Sequence, residues 1–238
     1  MAAMIVSAAA VAQITEVRVS DVLPLFPLAT VLFPKMVLPL HIFEARYRTL
    51  LADRSDIDPI FGVVAMRTGR EVGDHPEIYD VGAEASLLGA RRYLDGRSDI
   101  VVRGGRRFRV LDQDWGAGYL TATVDFLDAM NATVDAYVSG HVSREVRQEF
   151  TAYLETVESV TGMSVERPEL SADALQLGNA ICSMMPFDLS RRQWLLEARP
   201  RDLLPALLTI LRRERKLLMT TGIGGAGIDH PGSRLSKN

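Results

Sequence analysis

Leu23-Pro24-Leu25-Phe26-Pro27-Leu28, then Val31-Leu32-Phe33-Pro34-Lys35, then Met36-Val37-Leu38-Pro39-Leu40-His41-Ile42-Phe43 stand almost end to end near the start of the chain. The first run is apolar but interrupted by two prolines. Proline cannot donate to a strand ladder, so prolines this dense point to an edge strand or an extended segment. The second run reads as a turn. The third alternates, with Met36, Leu38, Leu40 and Ile42 on one face and Val37, Pro39, His41 and Phe43 on the other, the two-residue period of a strand. Glu44 to Ala52 then predicts a short helix, with Tyr47, Leu50 and Leu51 at helical spacing.

Downstream, Pro59 to Met66, Ile78 to Leu88 (interrupted by Gly82), Arg106 to Leu111 and Tyr119 to Leu127 are further strand candidates. Arg91 to Leu94 and Asp99 to Val102 flank Asp95-Gly96, a pair that tolerates the positive φ of a tight hairpin. Short consecutive strands with one intervening helix predict a small, mostly antiparallel barrel or sandwich, not a parallel α/β sheet. From Val134 the period changes. Val134, Tyr137, Val138, His141, Val142, Val146, Phe150, Tyr153, Leu154 and Val157 follow three-four spacing, which places His141 on an apolar stripe. Gly162 and Pro168 end that helix. Ser171 is a candidate cap for a second helix that stops before Pro186, and Asp188 or Ser190 for a third. A fourth runs from about Arg201 to Met219, and together they predict a small bundle. The division expected is a flexible extension over 1–20, a β domain over 21–130, a helical bundle over 131–219 and a disordered tail over 220–238, where glycines cluster.

The chain has 238 residues, a net charge of −3 and 47% hydrophobic residues, enough for a sizeable core and too acidic overall for a general polyanion binder. Its single cysteine, Cys182, excludes an internal disulfide framework and suits a reducing, cytoplasmic location. The residue lies in an apolar helical stretch with no basic neighbour in sequence, the setting of a buried small hydrophobe. No apolar run reaches the length of a membrane-spanning helix, so no membrane partner is expected. Ala2 to Ala12 lacks the preceding positive charge of a secretory signal and reads as an extension.

The opening block, with Glu44 and Arg46-Tyr47-Arg48, resembles the N-terminal, substrate-binding domain of the Lon protease family, especially its standalone bacterial forms. The resemblance continues through Asp80-Val81-Gly82-Ala83, Asp95-Gly96-Arg97, Gly104-Gly105-Arg106-Arg107-Phe108-Arg109 and Gln193-Trp194-Leu195-Leu196-Glu197, covering about Val22 to Leu218. It implies an α+β fold: a PUA-like antiparallel β-barrel with one short helix, followed by a C-terminal helical bundle. One departure is Lys35, where the family usually has glycine after the Phe-Pro. The Lon ATPase and Ser-Lys protease domains have no counterpart here. No G-x-x-x-x-G-K-[ST] loop is present, and none of the three lysines, Lys35, Lys216 and Lys237, lies in a segment resembling the protease site.

No catalytic set emerges from the residues either. The four histidines, His41, His75, His141 and His230, show no ligand spacing, so no metal or other cofactor is expected, and no G-x-S-x-G elbow exists. His41 reads as packing against the neighbouring helix, and Glu44 with Arg46 as a cap or salt bridge at the helix start. The resemblance implies a non-enzymatic module that binds unfolded or degron-bearing polypeptide, or a protein partner, as an adaptor in protein quality control. Phe26, Phe33, Pro34, His41, Phe43 and Tyr47 are its candidate peptide-binding residues, provided that some of them reach the surface. A second reading uses Arg91 to Arg109, where seven arginines face two aspartates. Arg103, Arg106, Arg107, Phe108 and Arg109 could then form an RNA-binding strand face on a PUA-like barrel. A third, an unfamiliar peptidase, has the least support.

Overall fold

A computed structural model describes residues 21–53, 60–68, 76–127 and 136–222. The expected extension over 1–20, most of the expected tail and the connection from 128 to 135 lie outside the described residues. Six strands come first, with one helix among them: β1 (Asp21–Leu28), β2 (Val37–Ile42), α1 (Ala45–Ala52), β3 (Ile60–Thr68), β4 (Glu77–Arg92), β5 (Ser98–Asp114) and β6 (Thr121–Phe126). Four helices follow: α2 (Ala136–Thr161), α3 (Ala174–Met184), α4 (Leu189–Glu197) and α5 (Pro200–Thr221). The class is α+β, as the patterning predicts.

The sheet order is β2-β5-β4-β3-β1-β6, and an additional β5–β6 pairing rolls it into a ring. Most pairs are antiparallel, but β1 and β3 run parallel, Leu25 opposite Gly62 through Leu28 opposite Ala65. The sheet is therefore mostly antiparallel, as expected, with β1–β3 as its one parallel pair among the described residues. The strand β2 and the helix α1 lie between β1 and β3, and such a crossover brings the chain back in the same direction. Two expected breaks are also absent. Ile78 to Leu88 and Arg91 to Leu94 fuse into the single strand β4, and Asp99 to Val102 and Arg106 to Leu111 fuse into β5. Bulges between Ala83 and Ala85 and between Leu87 and Gly89 absorb the irregularities within a continuous ladder. The Asp95-Gly96 turn is as predicted: Gly96 takes φ +83° and its N–H donates to Tyr93 O at 3.0 Å.

Where the ring closes depends on one edge of β5. Its C-terminal half pairs with β6 and its N-terminal half with β2, so β2 and β6 occupy successive stretches of the same edge. β6 goes on to pair with the start of β1, Asp21 opposite Val124. Among the described residues β2 pairs only with β5, so a seam separates it from the end of β1. Both sides of the seam carry a proline. Gly104 N–H donates to Met36 O, so the ladder bonds of β2 fall at Met36, Leu38, Leu40 and Ile42, and the backbone at Pro39 faces away from β5. Leu25 N–H donates to Leu120 O, away from β3, and Pro27 shares that phase. The missing N–H groups thus lie along the seam, where no ladder bond is lost.

The helices pack beside the ring, α2 mainly on α5 and α4 on β4. The cap of α3 is Asp173, whose side chain accepts from Gln176 N–H, and not Ser171, which bonds to Asp173 N–H instead. Asp188 caps α4 as expected. One cluster of buried residues joins Val31, Phe33, Ala65 and Val81 of the β region to Val146, Leu177, Ile181, Leu195, Leu207 and Leu211 of the helices. Polar struts cross the same junction. The buried Arg107 donates from Nη1 to Leu196 O at 2.6 Å and Ala198 O at 2.8 Å, and Gln193 Nε2 donates to Val81 O at 2.9 Å.

Candidate functional site

The seam opens into a groove of about 350 Å³, lined by Phe26, Leu28, Thr30, Leu38, Pro39, Leu40, His41, Phe43, Glu44 and Tyr47. One wall comes from the end of β1, the other from β2, and the start of α1 closes one end. Phe26 and Tyr47 form its floor. Both are buried, with ring centroids 3.9 Å apart, and the Arg46 guanidinium covers Tyr47 at 4.7 Å. Arg46 is held there by Glu44, whose Oε2 accepts from Arg46 Nε at 2.9 Å. The Glu44 side chain makes no cap hydrogen bond to α1, so of its two expected roles only the ion pair is realised.

The rim is exposed and carries both a polar and an apolar ring. His41 is exposed and stacks on the exposed Phe43, with centroids 6.0 Å apart. Its Nδ1 lies 2.5 Å from Asp99 Oδ1 on β5, and Tyr93 OH donates to the other Asp99 oxygen. Hydrogen bonds from His41 first and Tyr93 second hold the Asp99 carboxyl below the usual carboxylate range. The same bond to Asp99 pushes the Tyr93 phenol up. An exposed histidine is thus anchored in one orientation beside an aromatic ring. The cross-strand pairing of His41 with Asp99 was invisible in sequence, because 58 residues separate them.

Four of the six candidate peptide-binding residues therefore meet in one groove: Phe26, His41, Phe43 and Tyr47. The other two do not line it. Phe33 is fully buried in the core shared with the helices, where Arg192 lies over its ring, and Pro34 sits in the neighbouring turn. Leu28, Leu38 and Leu40 line the groove without having been singled out. Their strand alternation shows which face they share, but only the seam shows that this face is open.

The arginine face is dispersed. Arg103 and Arg109 are exposed. Arg107 is buried against α4 and Phe108 is fully buried in the ring, because β5 is covered here on both faces. Arg106 donates from Nε and Nη2 to Glu84 and lies 3.7 Å over the Phe126 ring. The expected stacking platform for bases is thus used up by the fold. His141 is also exposed rather than on the apolar face, with Nδ1 3.1 Å from Glu145 Oε1. Cys182 is buried, and desolvation pushes its thiol up to about 12. Among the described residues, no group of three or more His, Cys, Asp or Glu is gathered to hold a metal ion, and no helix is long and apolar enough to cross a membrane.

Comparison with known proteins converges on one family. Residues 22–213 match the model of the ATP-dependent protease La (LON) substrate-binding domain. Lon protease 2 of Herpetosiphon aurantiacus is 28% identical over 186 residues, which is 74% of this chain and 22% of that protein. Lon protease of Escherichia coli is 24% identical over 179 residues, again 74% of this chain and 22% of the relative. The chain thus spans roughly a quarter or less of the curated relatives it matches. A crystal structure of a Lon N-terminal domain protein from Xanthomonas campestris superposes with a TM-score of 0.54 at 25% identity, covering 79% of this chain and 98% of the other. The N-terminal domain of a Mycobacterium avium complex Lon protease has the same fold, with a TM-score of 0.59 at 18% identity, covering 81% of this chain and 98% of the other. With the family match running from the first strand into the last helix, the chain belongs to the Lon substrate-binding domain family.

Proposed function

We propose that this chain is a non-catalytic binding module that captures apolar stretches of unfolded or degron-bearing polypeptide in the seam groove. In this reading it acts as an adaptor in cytoplasmic protein quality control. The carrying observation is the groove itself: an unzipped seam, apolar on its floor and walls, with Phe43 and His41 exposed at its rim. A volume of about 350 Å³ is at the small end of ligand pockets and suits a few side chains of an extended chain, not a folded element. The prolines that keep the seam open leave its carbonyls as acceptors and its side chains as the main source of affinity.

The test is binding of a fluorescently labelled globular protein, reduced and alkylated so that it cannot refold, followed by anisotropy. Unfolded substrate should bind and its native form should not. Phe43→Ala and Leu40→Ser should each weaken capture about five- to tenfold, equivalent to about 1–1.4 kcal/mol, without changing the circular dichroism spectrum. Equal capture of native and unfolded forms, or full capture by both variants, rules the reading out.

A further inference from the structure

The outward face of β2, β5 and β4 is separate from the groove floor and, among the described residues, is covered by no other element. Register fixes its layout as three cross-strand rows. Val37, Arg103 and Ser86 form the first, Pro39, Val101 and Gly89 the second, and His41, Asp99 and Arg91 the third. The middle is apolar. Val37 is 51% exposed, Val101 37%, and Leu88, the extra residue of the β4 bulge, 46%. Both end rows carry an exposed arginine, Arg103 in the first and Arg91 in the third. The carboxylate of the face, Asp99, already accepts from His41 and Tyr93. An apolar centre between arginines is an unusual local surface on a chain whose net charge is −3.

We infer that this face docks a short polypeptide segment of a partner protein in which apolar residues are flanked by carboxylates. Charge selects the partner. A cation-rimmed patch on an acidic protein attracts acidic segments and repels basic ones, while Val37, Val101 and Leu88 reward apolar contact. Size sets the class. Three strands by three rows span roughly 10 Å by 14 Å, far below the area of a stable domain–domain interface, so the contact is that of a short motif. A nucleic acid fits less well, because the centre of the face is aliphatic, made of Val37, Val101 and Leu88. Arg103, one of the members of the notional RNA face that stay exposed, serves here as the anion-facing rim. Pro39 and His41 border both this face and the groove, but the inference rests on Val37, Val101, Leu88 and Arg103, which do not line the groove.

The probe is a short fluorescent peptide alternating Leu with Glu, compared with one alternating Leu with Lys and with oligouridine. The Leu-Glu peptide should bind at least tenfold tighter than the Leu-Lys peptide at low salt. Val101→Glu and Arg103→Glu should each reduce its affinity about tenfold while leaving capture of unfolded protein unchanged, which separates this face from the groove. Both positions are exposed, and an unchanged melting temperature confirms that the variants fold. Equal affinity for the two peptides overturns the inference. So does Leu-Glu binding unaffected by either substitution, or oligouridine binding that exceeds the peptide and is lost in Arg103→Glu.

Discussion

Lys35 carries the one backbone conformation in which a residue works against its own chemistry. Its φ is +67°, the only positive φ at a non-glycine among the described residues. Pro34 and Lys35 occupy the centre of a turn closed by Met36 N–H donating to Phe33 O at 3.0 Å, with proline and a positive φ where a type II turn requires them. Lys35 N–H donates to Gly104 O and Gly104 N–H to Met36 O, so two residues of one strand oppose one of the other, a bulge that normally opens on glycine. That is the physical content of the family's glycine after Phe-Pro. Gly104 is equally constrained, since a Cβ there would lie 2.1 Å from Phe33 O. Lys35→Gly should therefore raise stability by roughly 0.5–1 kcal/mol, read as a higher urea midpoint at unchanged slope. A lower midpoint would mean that the lysine side chain contributes more than its backbone costs. At this scale the sequence was legible for residue type and not for exposure. Phe33 and Phe43 look alike in the opening block, yet one is core and the other rim, because burial depends on a helix layer about 150 residues away.

Among the elements, β1 and β2 show proline used as a separator. They are joined by eight residues and are both strands, the ordinary makings of a hairpin, yet they do not pair. The proline density signalled an edge in the sequence, and the edge is there. What patterning could not supply was that two proline-bearing edges face each other, since that follows from β5 lending one edge to both β2 and β6. Pro39→Val should restore an uninterrupted row of donors on β2. The expected outcome is concentration-dependent association, measurable by analytical ultracentrifugation, with weaker capture of unfolded substrate as the seam is covered. A strictly monomeric variant with unchanged capture would show that the proline is not what protects the edge. The fused β4 and β5 were harder to read, because Gly82, Gly89, Gly104 and Gly105 look like strand ends while the structure uses them where neighbouring groups crowd the ladder or a bulge bends it.

Taken whole, the molecule is less divisible than its two textures suggest. The change from two-residue to three-four periodicity divides the sequence into a β-rich and a helical stretch, but one core cluster spans both. Arg107 is the clearest sign. The sequence reading offered it to an RNA-binding arginine face, whereas it donates to two carbonyls at the end of α4. Arg107→Met should cost about 2–4 kcal/mol, because those carbonyls lose a charged donor in a buried setting. Unfolding followed by circular dichroism and by tryptophan fluorescence should stay coincident in the wild-type chain. The proline-lined seam also constrains the order in which the chain assembles. A local β1–β2 hairpin would be the cheapest early contact, and Pro27 and Pro39 remove it. β2 must instead wait for β5, whose pairing residues lie about 60 positions downstream and which is itself positioned by the local β4–β5 turn. Closing so long a loop places β2 late in folding and, by microscopic reversibility, early in unfolding. The strand that forms the groove wall is then the one most easily released, and excursions that lift it from β5 widen the cleft without disturbing the rest of the barrel.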